Sequence, residues 1–349
     1  MRSKSPTKSI TLSDVAREAN VAPMTVSRYL NRHPNISEKT ARKVSIAIKK
    51  LGYVPNQAAR MLMGQPSNTI GLIVPNLADH FFSEVAHNVQ QAAIDHGYLV
   101  WVAASNSHQD TELSLIRQMK QHQVDGILLI PTPGSTARVP LDKTPMVTLD
   151  RPLTMGGVPT VLVENRGGSR KAVDHLLGHG YQGIVCISND ARDIYTSAER
   201  MLGYEDAMRD QGLPSETVTS QQTLSSVHRT LKAMLARRKP PEAIFTTNNL
   251  TTVHVVEALQ LLGISIPDQL ALVGFDDFEL ARFLRPGLTV VCQPAAELGR
   301  QAARLLFDRL TSADAVPITI SLPVTLIVRS SCGCSSGKEL DDLSLMEML

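Results

Sequence analysis

Short apolar runs alternate with longer amphipathic stretches through most of this 349-residue chain. The runs have the length of strands, and the stretches repeat their apolar residues at helical spacing. The predicted strands are "TIGLIVP" (69–75), "LVWVAAS" (99–105), "GILLI" (126–130), "MVTL" (146–149), "IVCIS" (184–188), "AIFTT" (243–247), "LALVGF" (270–275) and "LTVVC" (288–292). The predicted helices are 81–98, 110–122, 197–211, 223–238 and 250–262. This alternation predicts α/β structure, with parallel sheets covered by helices on both faces.

The length and an internal similarity indicate how this α/β region is divided. A chain of 349 residues is too long for one ordinary core, so two or three domains are expected. The segments "DHGYLVWVAAS" and "GHGYQGIVCIS" resemble each other as helix end, turn and strand, which is a weak internal repeat. We therefore predict two similar α/β lobes.

The first 64 residues differ from the remainder in charge. They contain twelve Lys or Arg and three acidic residues, a net charge of +9, which leaves −7 for the rest of the chain. Such asymmetry indicates a basic head that contacts a polyanion and an acidic body that does not. A merely solvated charged surface is the alternative.

Three short helices are predicted within this head. Ser13 can cap a first helix that ends at Asn20, which tolerates a left-handed conformation. Pro23 suits the first position of a second helix, because proline lacks the N–H that would have no partner there. Ser37 can cap a third helix that ends before Gly52. Three short helices around a small core, with a basic face exposed, are typical of a helix-turn-helix module.

The order of four motifs resembles one known family. "TLSDVAREANVAPMTVSRYLN", "SEKTARKV", "LGYVPNQAARML" and "LVGFDD" closely resemble the LacI/GalR family of bacterial transcription regulators, over about residues 10–332. The resemblance implies an N-terminal all-α helix-turn-helix head joined to a two-lobed, periplasmic-binding-protein-like α/β body. It implies four parts: a DNA-binding domain (1–54), a hinge helix and linker (55–69), an effector-binding and dimerisation domain (70–332) and a C-terminal tail (333–349).

The resemblance also implies which side chains contact DNA. The second helix would enter the major groove, and the hinge would fold only in the minor groove beside its dimer mate. The implied contacts are Pro23, Met24 and Arg28 to base edges, Thr25, Ser27 and Asn35 to the DNA backbone, and Ala59 and Leu62 in the minor groove. For Arg28 a phosphate contact or a free surface charge is the alternative, and for the hinge an ordinary linker.

Two residues of the head depart from the family pattern. Asn20 stands where the family usually has Gly, and it can supply the same backbone conformation. Ala22 stands where the family usually has Ser or Thr, which removes a helix cap worth roughly 1 kcal/mol. The fold prediction is unaffected, whereas the strength of DNA binding is left open.

Ligands of two-lobed α/β proteins bind in the cleft beyond the carboxyl ends of the strands. Polar residues directly after predicted strands are therefore candidate ligand contacts, and they match the effector-binding set that the resemblance implies. The polar candidates after strands are Asn76, Asp79, Asp150, Asn248, Asp276 and Gln293, Arg200 opens the helix that follows "IVCIS", and Phe81 and Phe82 can supply an apolar wall. A carboxylate and a guanidinium facing each other can bind vicinal hydroxyls or an acidic group. Turn capping is the alternative role for Asp276, and core packing for Phe81 and Phe82.

Other classes of function have little support in the sequence. No G-x-G-x-x-G follows a strand, and there is no Walker A loop, Ser-His-Asp elbow or H-E-x-x-H motif. We expect no cofactor, no metal and no enzymatic activity. Cys332 and Cys334 form a lone C-x-C, for which reduced surface thiols are expected rather than a metal or redox pair. No apolar run approaches the roughly 20 residues that span a membrane, and the polar N-terminus predicts no secretory signal.

These observations together predict a cytoplasmic, homodimeric transcriptional regulator of the repressor type. It would bind a pseudo-palindromic DNA operator, and a small metabolite, a sugar or sugar derivative, would control its affinity from the cleft. A solute-binding protein of the transport type and an enzyme are the alternatives. A solute-binding protein would share the two-lobed body, but the basic head argues against it.

Overall fold

The computed structural model describes residues 10–30, 33–54, 65–134, 139, 144–153, 157–188, 193–219, 223–311 and 318–334. The chain forms two compact units, Met1–Ser67 and Asn68–Leu349, here called the head and the body. None of the described helices combines the length and the apolar character that crossing a membrane requires.

The head contains three helices around a small apolar core. They are α1 (Leu12–Ala19), α2 (Pro23–Leu30) and α3 (Glu38–Leu51). Each helix contributes one fully buried valine, namely Val15, Val26 and Val44. The predicted helix-turn-helix head is thereby confirmed, because the turn between α1 and α2 lets both helices pack on α3 around these side chains.

The first helix begins earlier than Ser13, so the predicted cap was wrong. Thr11 is the N-cap: its hydroxyl accepts the Asp14 N–H at 3.3 Å, and the Asp14 carboxylate accepts the Thr11 N–H at 2.9 Å. This reciprocal pair satisfies two amides that a helix starting at Ser13 would leave without partners. The other predicted boundaries are confirmed, since Asn20 and Gly52 end their helices with φ of 51° and 62°.

Lobe one of the body is a six-stranded parallel sheet. Its elements are β1 (Thr69–Val74), α4 (His80–Asp95), β2 (Leu99–Ala104), α5 (Gln109–Gln121), β3 (Gly126–Leu129), β4 (Met146–Leu149), β5 (Thr160–Val163), α10 (Ala295–Thr311) and β11 (Thr319–Leu322). The strand order is β11-β5-β4-β3-β1-β2. Apolar clusters line both faces, under α4 and α10 on one side and under α5 on the other.

Lobe two repeats this arrangement with one difference. Its elements are α6 (Asn165–Gly178), β6 (Ile184–Ser188), α7 (Tyr195–Asp210), β7 (Glu216–Thr219), α8 (Leu224–Leu235), β8 (Ala243–Thr246), α9 (Asn249–Leu261), β9 (Ala271–Phe275), the 3₁₀ helix Glu279–Arg282, β10 (Thr289–Cys292) and β12 (Thr325–Ile327). The strand order is β12-β10-β9-β8-β6-β7, with β12 antiparallel to β10. Two similar α/β lobes, as predicted, are therefore present.

The two lobes correspond strand by strand, but not through the segments whose sequences resemble each other. In each sheet the first strand of the lobe lies between the second and the third, so β1 corresponds to β6 and β2 to β7. The similar segments lead instead into β2 and β6, which occupy different positions in their sheets. The internal repeat is therefore a shared helix-turn-strand pattern and not an alignment of the lobes.

The chain passes between the lobes three times, after β5, after β10 and after β11. Three crossings place the carboxyl ends of both sheets on either side of one cleft, which is where parallel α/β sheets bind ligands.

Candidate functional site

The second helix of the head presents a polar and weakly apolar surface. Met24 is 63% exposed, and Pro23 and Arg28 are exposed as well, whereas Val26 faces the core. Met24 and Arg28 lie one helical turn apart, so their side chains project from the same face. In the part of the head that the structure describes, Arg28 has no acidic partner. Its guanidinium is therefore available to an external anion or base edge.

The remaining DNA-contact candidates differ in exposure. Asn35 is exposed in the loop before α3, while Thr25 and Ser27 are half-buried on α2. Hydroxyl groups at the border of the core suit hydrogen bonds to the DNA backbone better than hydrogen bonds to base edges. Ala59 and Leu62 lie outside the described residues, so their minor-groove role stays a prediction.

In the body, two aspartates occupy equivalent positions in the two sheets. Asp150 follows β4 and Asp276 follows β9, and these strands correspond in the two strand orders. Both residues adopt left-handed backbone conformations, with φ of 65° and 75°, and they are only 2% and 7% exposed. Such conformations are uncommon outside glycine, and they cluster at functional sites.

Arg200 of α7 lies close enough to both carboxylates for its charge to lower the pKa of each. Its Nε donates to Asn165 Oδ1 at 2.7 Å, and its Nη1 donates to the Thr247 carbonyl at 2.7 Å. The same Nη1 lies 3.5 Å from Asp276 Oδ2, an ion pair too long to be a strong hydrogen bond. The guanidinium also stacks 3.8 Å from the centre of the Phe275 ring. These contacts fix a buried cation beside the end of β9.

Burial sets the electrostatics of this group. It raises the pKa of both aspartates because a carboxylate loses hydration in the cleft. Charges oppose this increase: Arg151 and then Arg200 lower the pKa of Asp150, and Arg200 lowers the pKa of Asp276. Neighbouring carboxylates add to the increase, since Asp276 raises the pKa of Asp150 and Asp79 raises the pKa of Asp276. The cleft therefore holds two buried acids that compete for few cations.

Gln293 connects this group to a cavity of about 490 Å³ at the junction of the lobes. Its Nε2 donates to Asp276 Oδ1, whereas its Oε1 is buried without a hydrogen-bond partner among the described residues. Asp276, Gln293 and Phe81 all line the cavity. A buried acceptor without a donor is costly, so this amide oxygen is matched to a hydroxyl or amine that a ligand would bring.

The three other predicted residues cap local structure of the chain itself. Asp79 caps α4 by accepting the Phe81 N–H at 3.0 Å, and Asn248 caps α9 by accepting the Thr251 N–H at 2.8 Å. Asn76 is exposed and accepts the Ala78 N–H at 2.9 Å within its own turn. The structure thus brings Asp150, Arg200, Asp276 and Gln293 together, with Phe81 on the cavity wall, and it does not bring Asn76 to them.

Two asparagines contribute to the site without having been predicted as site residues. Asn165 orients Arg200, and Asn249 Nδ2 donates to Asp79 Oδ1 at 3.2 Å across the cleft. An aspartate in place of Asn249 would repel Asp79, so the amide allows the two lobes to meet here.

The cysteine prediction was wrong about exposure. Cys332 is fully buried and not a surface thiol, and Cys334 is half-buried. The chain after β12 folds back on lobe two, because Ser331 bonds to both β9 and β10. Two histidines of α6 lie against these thiols.

Comparison with known proteins identifies the family. Residues 11–56 match the model for bacterial regulatory proteins of the lacI family, and residues 173–332 match a periplasmic binding protein-like domain. The ribose operon repressor of Halalkalibacterium halodurans is 31% identical over 326 residues, which cover 92% of this chain and 96% of the repressor. The chain belongs to the LacI family of bacterial regulatory proteins.

Solved structures of this LacI family agree with the fold. A complex of the transcriptional regulator CelR with cellobiose is 29% identical, with a TM-score of 0.69, over 92% of this chain and 99% of that chain. The Lac repressor dimer bound to operator is 24% identical, with a TM-score of 0.83, over 93% and 99% of the two chains. The helix-turn-helix head and the periplasmic-binding-protein-like body of this LacI-family protein are therefore confirmed.

Proposed function

We propose that this LacI-family protein is a homodimeric, operator-binding transcriptional repressor controlled by a carbohydrate or carbohydrate derivative in the cleft. The observation that carries the proposal is the buried group of Asp150, Arg200, Asp276 and Gln293 at the junction of the lobes. Buried carboxylates and an amide oxygen without a donor suit a ligand rich in hydroxyls, because each hydroxyl donates one hydrogen bond and accepts others.

The cavity agrees with this chemical class. Its volume of about 490 Å³ lies within the range of small-molecule sites. Phe81 supplies an apolar wall against which a sugar ring can pack, while Asp276 and Gln293 face the same space. Two relatives bear names that point to carbohydrates, a ribose operon repressor and a CelR–cellobiose complex. Ribose and cellobiose are therefore the first compounds to test.

Exposed apolar side chains on the body support the homodimer. Leu99, Trp101 and Val102 of the edge strand β2 are exposed, with Leu99 at 69%. Leu280 and Phe283 are exposed on lobe two. Exposed apolar residues, above all on an edge strand, are typical of a protein–protein interface. A second copy of the chain is the partner we propose, because one recognition helix per subunit reads each half of a pseudo-palindrome.

The proposed control works through the three crossings between the lobes. A ligand that bonds to Asp276 and Gln293 on one side and packs on Phe81 on the other favours one angle between the lobes. The crossings allow such a change because they are short segments between packed sheets. In the dimer, a change in the angle between the lobes would alter the spacing of the two hinge segments and hence the affinity for DNA.

An enzymatic role is not part of this proposal. The buried acids face a guanidinium and an amide rather than a nucleophile and its base. We place the protein in the cytoplasm. It would be bound to its operator on the chromosome when the angle between the lobes favours DNA binding.

Replacing Arg28 by Ala tests recognition by the head. The variant should bind the cognate duplex about 1–3 kcal/mol more weakly, because it loses a bidentate contact to guanine, while non-specific binding is nearly unchanged. Fluorescence anisotropy with cognate and random duplexes measures both affinities. Arg42→Ala, which removes another exposed arginine of the head, is the control. Equal losses on both duplexes would show that Arg28 contacts only phosphate.

The whole proposal is tested by anisotropy with a random duplex across a salt series, combined with a thermal-shift screen of sugars and sugar acids. A regulator predicts tight DNA binding with a steep negative dependence of log affinity on log salt. The screen should find a carbohydrate that raises the melting temperature by mass action. Absence of DNA binding would contradict the regulator, and a solute-binding protein would show only the thermal shift.

A further inference from the structure

Four side chains with soft and borderline donor atoms meet in lobe two, from the fully buried Cys332 to the exposed His179. They are His175 and His179 at the end of α6 and Cys332 and Cys334 in the segment after β12. Their ligand atoms all lie within 4.8 Å of one another. We propose that these four residues form a tetrahedral Cys₂His₂ site for Zn²⁺.

The distances between donor atoms carry this proposal. Cys332 Sγ lies 3.2 Å from His175 Nε2, Cys334 Sγ lies 3.2 Å from His179 Nε2, and Cys334 Sγ lies 3.7 Å from His175 Nε2. A tetrahedral Zn²⁺ with ordinary Zn–N and Zn–S bonds holds its nitrogen and sulfur ligands about 3.6 Å apart. These three donor pairs therefore need only shifts of a few tenths of an ångström to enclose the ion, and the remaining pairs lie within 4.8 Å.

Local structure orients both halves of the site. His175 and His179 are four residues apart, so successive turns of α6 place them on one face. Gly333, between the cysteines, has φ of +98°, and a Cβ there would lie 2.8 Å from Tyr181 Oη. Glycine thus allows a tight turn that presents both thiols to the helix. The end of α6 also carries the negative pole of the helix dipole, which favours a cation.

Hydrogen bonds to neighbouring strands hold the segment that contains the two cysteines in place. Thr289 Oγ1 donates to Cys332 Sγ at 3.1 Å, as outer-shell donors do to zinc-bound thiolates. Ser331 Oγ donates to the Leu272 carbonyl at 2.6 Å and accepts the Thr289 N–H at 2.8 Å. Hydrogen bonds to the sheet therefore order this segment before any metal binds.

The site is separate from the cleft. Ser331 binds to the amino end of β9, whereas Asp276 follows the carboxyl end of that strand, roughly 13 Å away. The two places are joined by α6, whose first residue, Asn165, orients Arg200. Bound Zn²⁺ would tie the C-terminal segment to α6 and so stabilise lobe two. Two neutral imidazoles and two thiolates would bind the dication, with the thiol protons released to solvent.

Competition between the full-length protein and a chromophoric chelator for Zn²⁺, under reducing conditions, tests the site. We expect one Zn²⁺ per chain, and a Co²⁺-loaded protein should show the intense visible bands of a tetrahedral site with thiolate charge-transfer bands. Cys334→Ser and His179→Ala remove the less buried ligands, so both variants should fold. Each should lose affinity by more than about 100-fold, since even outer-shell changes cost about 10–100-fold.

A control variant and a second readout make the test decisive. His228→Ala removes a histidine of α8 in the same lobe and should leave the Zn²⁺ affinity unchanged. Zn²⁺ should raise the melting temperature of the wild type and of this control, but not that of the two ligand variants. Failure to bind one Zn²⁺, unchanged affinity in both ligand variants, or an octahedral Co²⁺ spectrum would overturn the proposal. A Cys332–Cys334 disulfide in freshly purified protein would do so as well, because it would assign a redox pair.

Discussion

Replacing Asp276 by Asn will abolish the response to the carbohydrate while the protein stays folded and bound to DNA. Asparagine tolerates the left-handed backbone at this position, where φ is 75°. Its amide oxygen can still accept the Gln293 Nε2 hydrogen bond. The change therefore removes the negative charge and little of the shape.

The loss of affinity follows from the hydrogen bonds that the carboxylate would accept. Two hydroxyls of a ligand bonded to Asp276 contribute charge-assisted hydrogen bonds of about 1.5–3 kcal/mol each. Without them the ligand should bind at least about 100-fold more weakly. Calorimetric titration of the carbohydrate into the wild type and the variant measures this difference.

Asp268→Asn is the matched control. It removes the same charge from an exposed position before the amino end of β9, on the side of lobe two away from the cleft. This variant should bind the carbohydrate like the wild type. If Asp276→Asn also kept wild-type affinity, the cleft would be wrongly assigned.

Replacing Arg200 by Met will destabilise the body by about 3–5 kcal/mol near neutral pH, because a buried carboxylate loses its compensating cation. Methionine fills a similar volume over the Phe275 ring, so a cavity contributes little. Asp150 keeps Arg151, whose Nε lies 3.2 Å from its Oδ2, whereas Asp276 forms no other ion pair among the described residues. The penalty should therefore fall mainly on Asp276.

The destabilisation by Arg200→Met should depend on pH, and the raised pKa of Asp276 determines the direction. Burial already raises the pKa of Asp276, so the folded protein retains a proton that the unfolded chain releases. Stability associated with this group is fully present below the ordinary carboxyl pKa, about 3.9, and is lost as the pH rises through the higher folded value. Without Arg200 that loss becomes larger. The deficit of Arg200→Met should thus shrink between about pH 8 and about pH 5.

Urea unfolding at the two pH values measures the effect. The double variant Arg200→Met with Asp276→Asn should recover most of the stability near neutral pH, because it has no uncompensated charge. A deficit that does not change with pH, and that the double variant retains, would mean that Arg200 contributes by packing on Phe275 rather than by charge.

The cleft could be predicted because its residues follow a rule of position. Asp150, Asp276 and Gln293 come directly after apolar runs, and parallel strands place all such ends along one edge. Asn76 obeys the same rule but caps its own turn. Nothing in the sequence distinguishes a short polar side chain that bonds to its own backbone from one that faces a ligand.

Other features lacked a local signal. The edge strands β7, β11 and β12 read "ETVT", "TISL" and "TLI", short and partly exposed, so no apolar run marks them. The start of α1 depends on the reciprocal hydrogen bonds of Thr11 and Asp14. By residue type alone, Ser13 is an equally good N-cap. His175 and Cys332 are 157 residues apart in the chain, and only the fold brings them together.

Occupation of the cleft by the carbohydrate should change the affinity of the head for DNA. The most direct test measures both sides of that coupling, using a duplex that the protein selects from a random pool and the carbohydrate with the largest thermal shift. Operator affinity is measured with and without the carbohydrate, and carbohydrate affinity with and without the operator. We expect equal factors of about 5- to 150-fold in the two directions, because coupling between binding sites is reciprocal. A carbohydrate that binds tightly through Asp276 and leaves operator affinity unchanged would contradict this coupling.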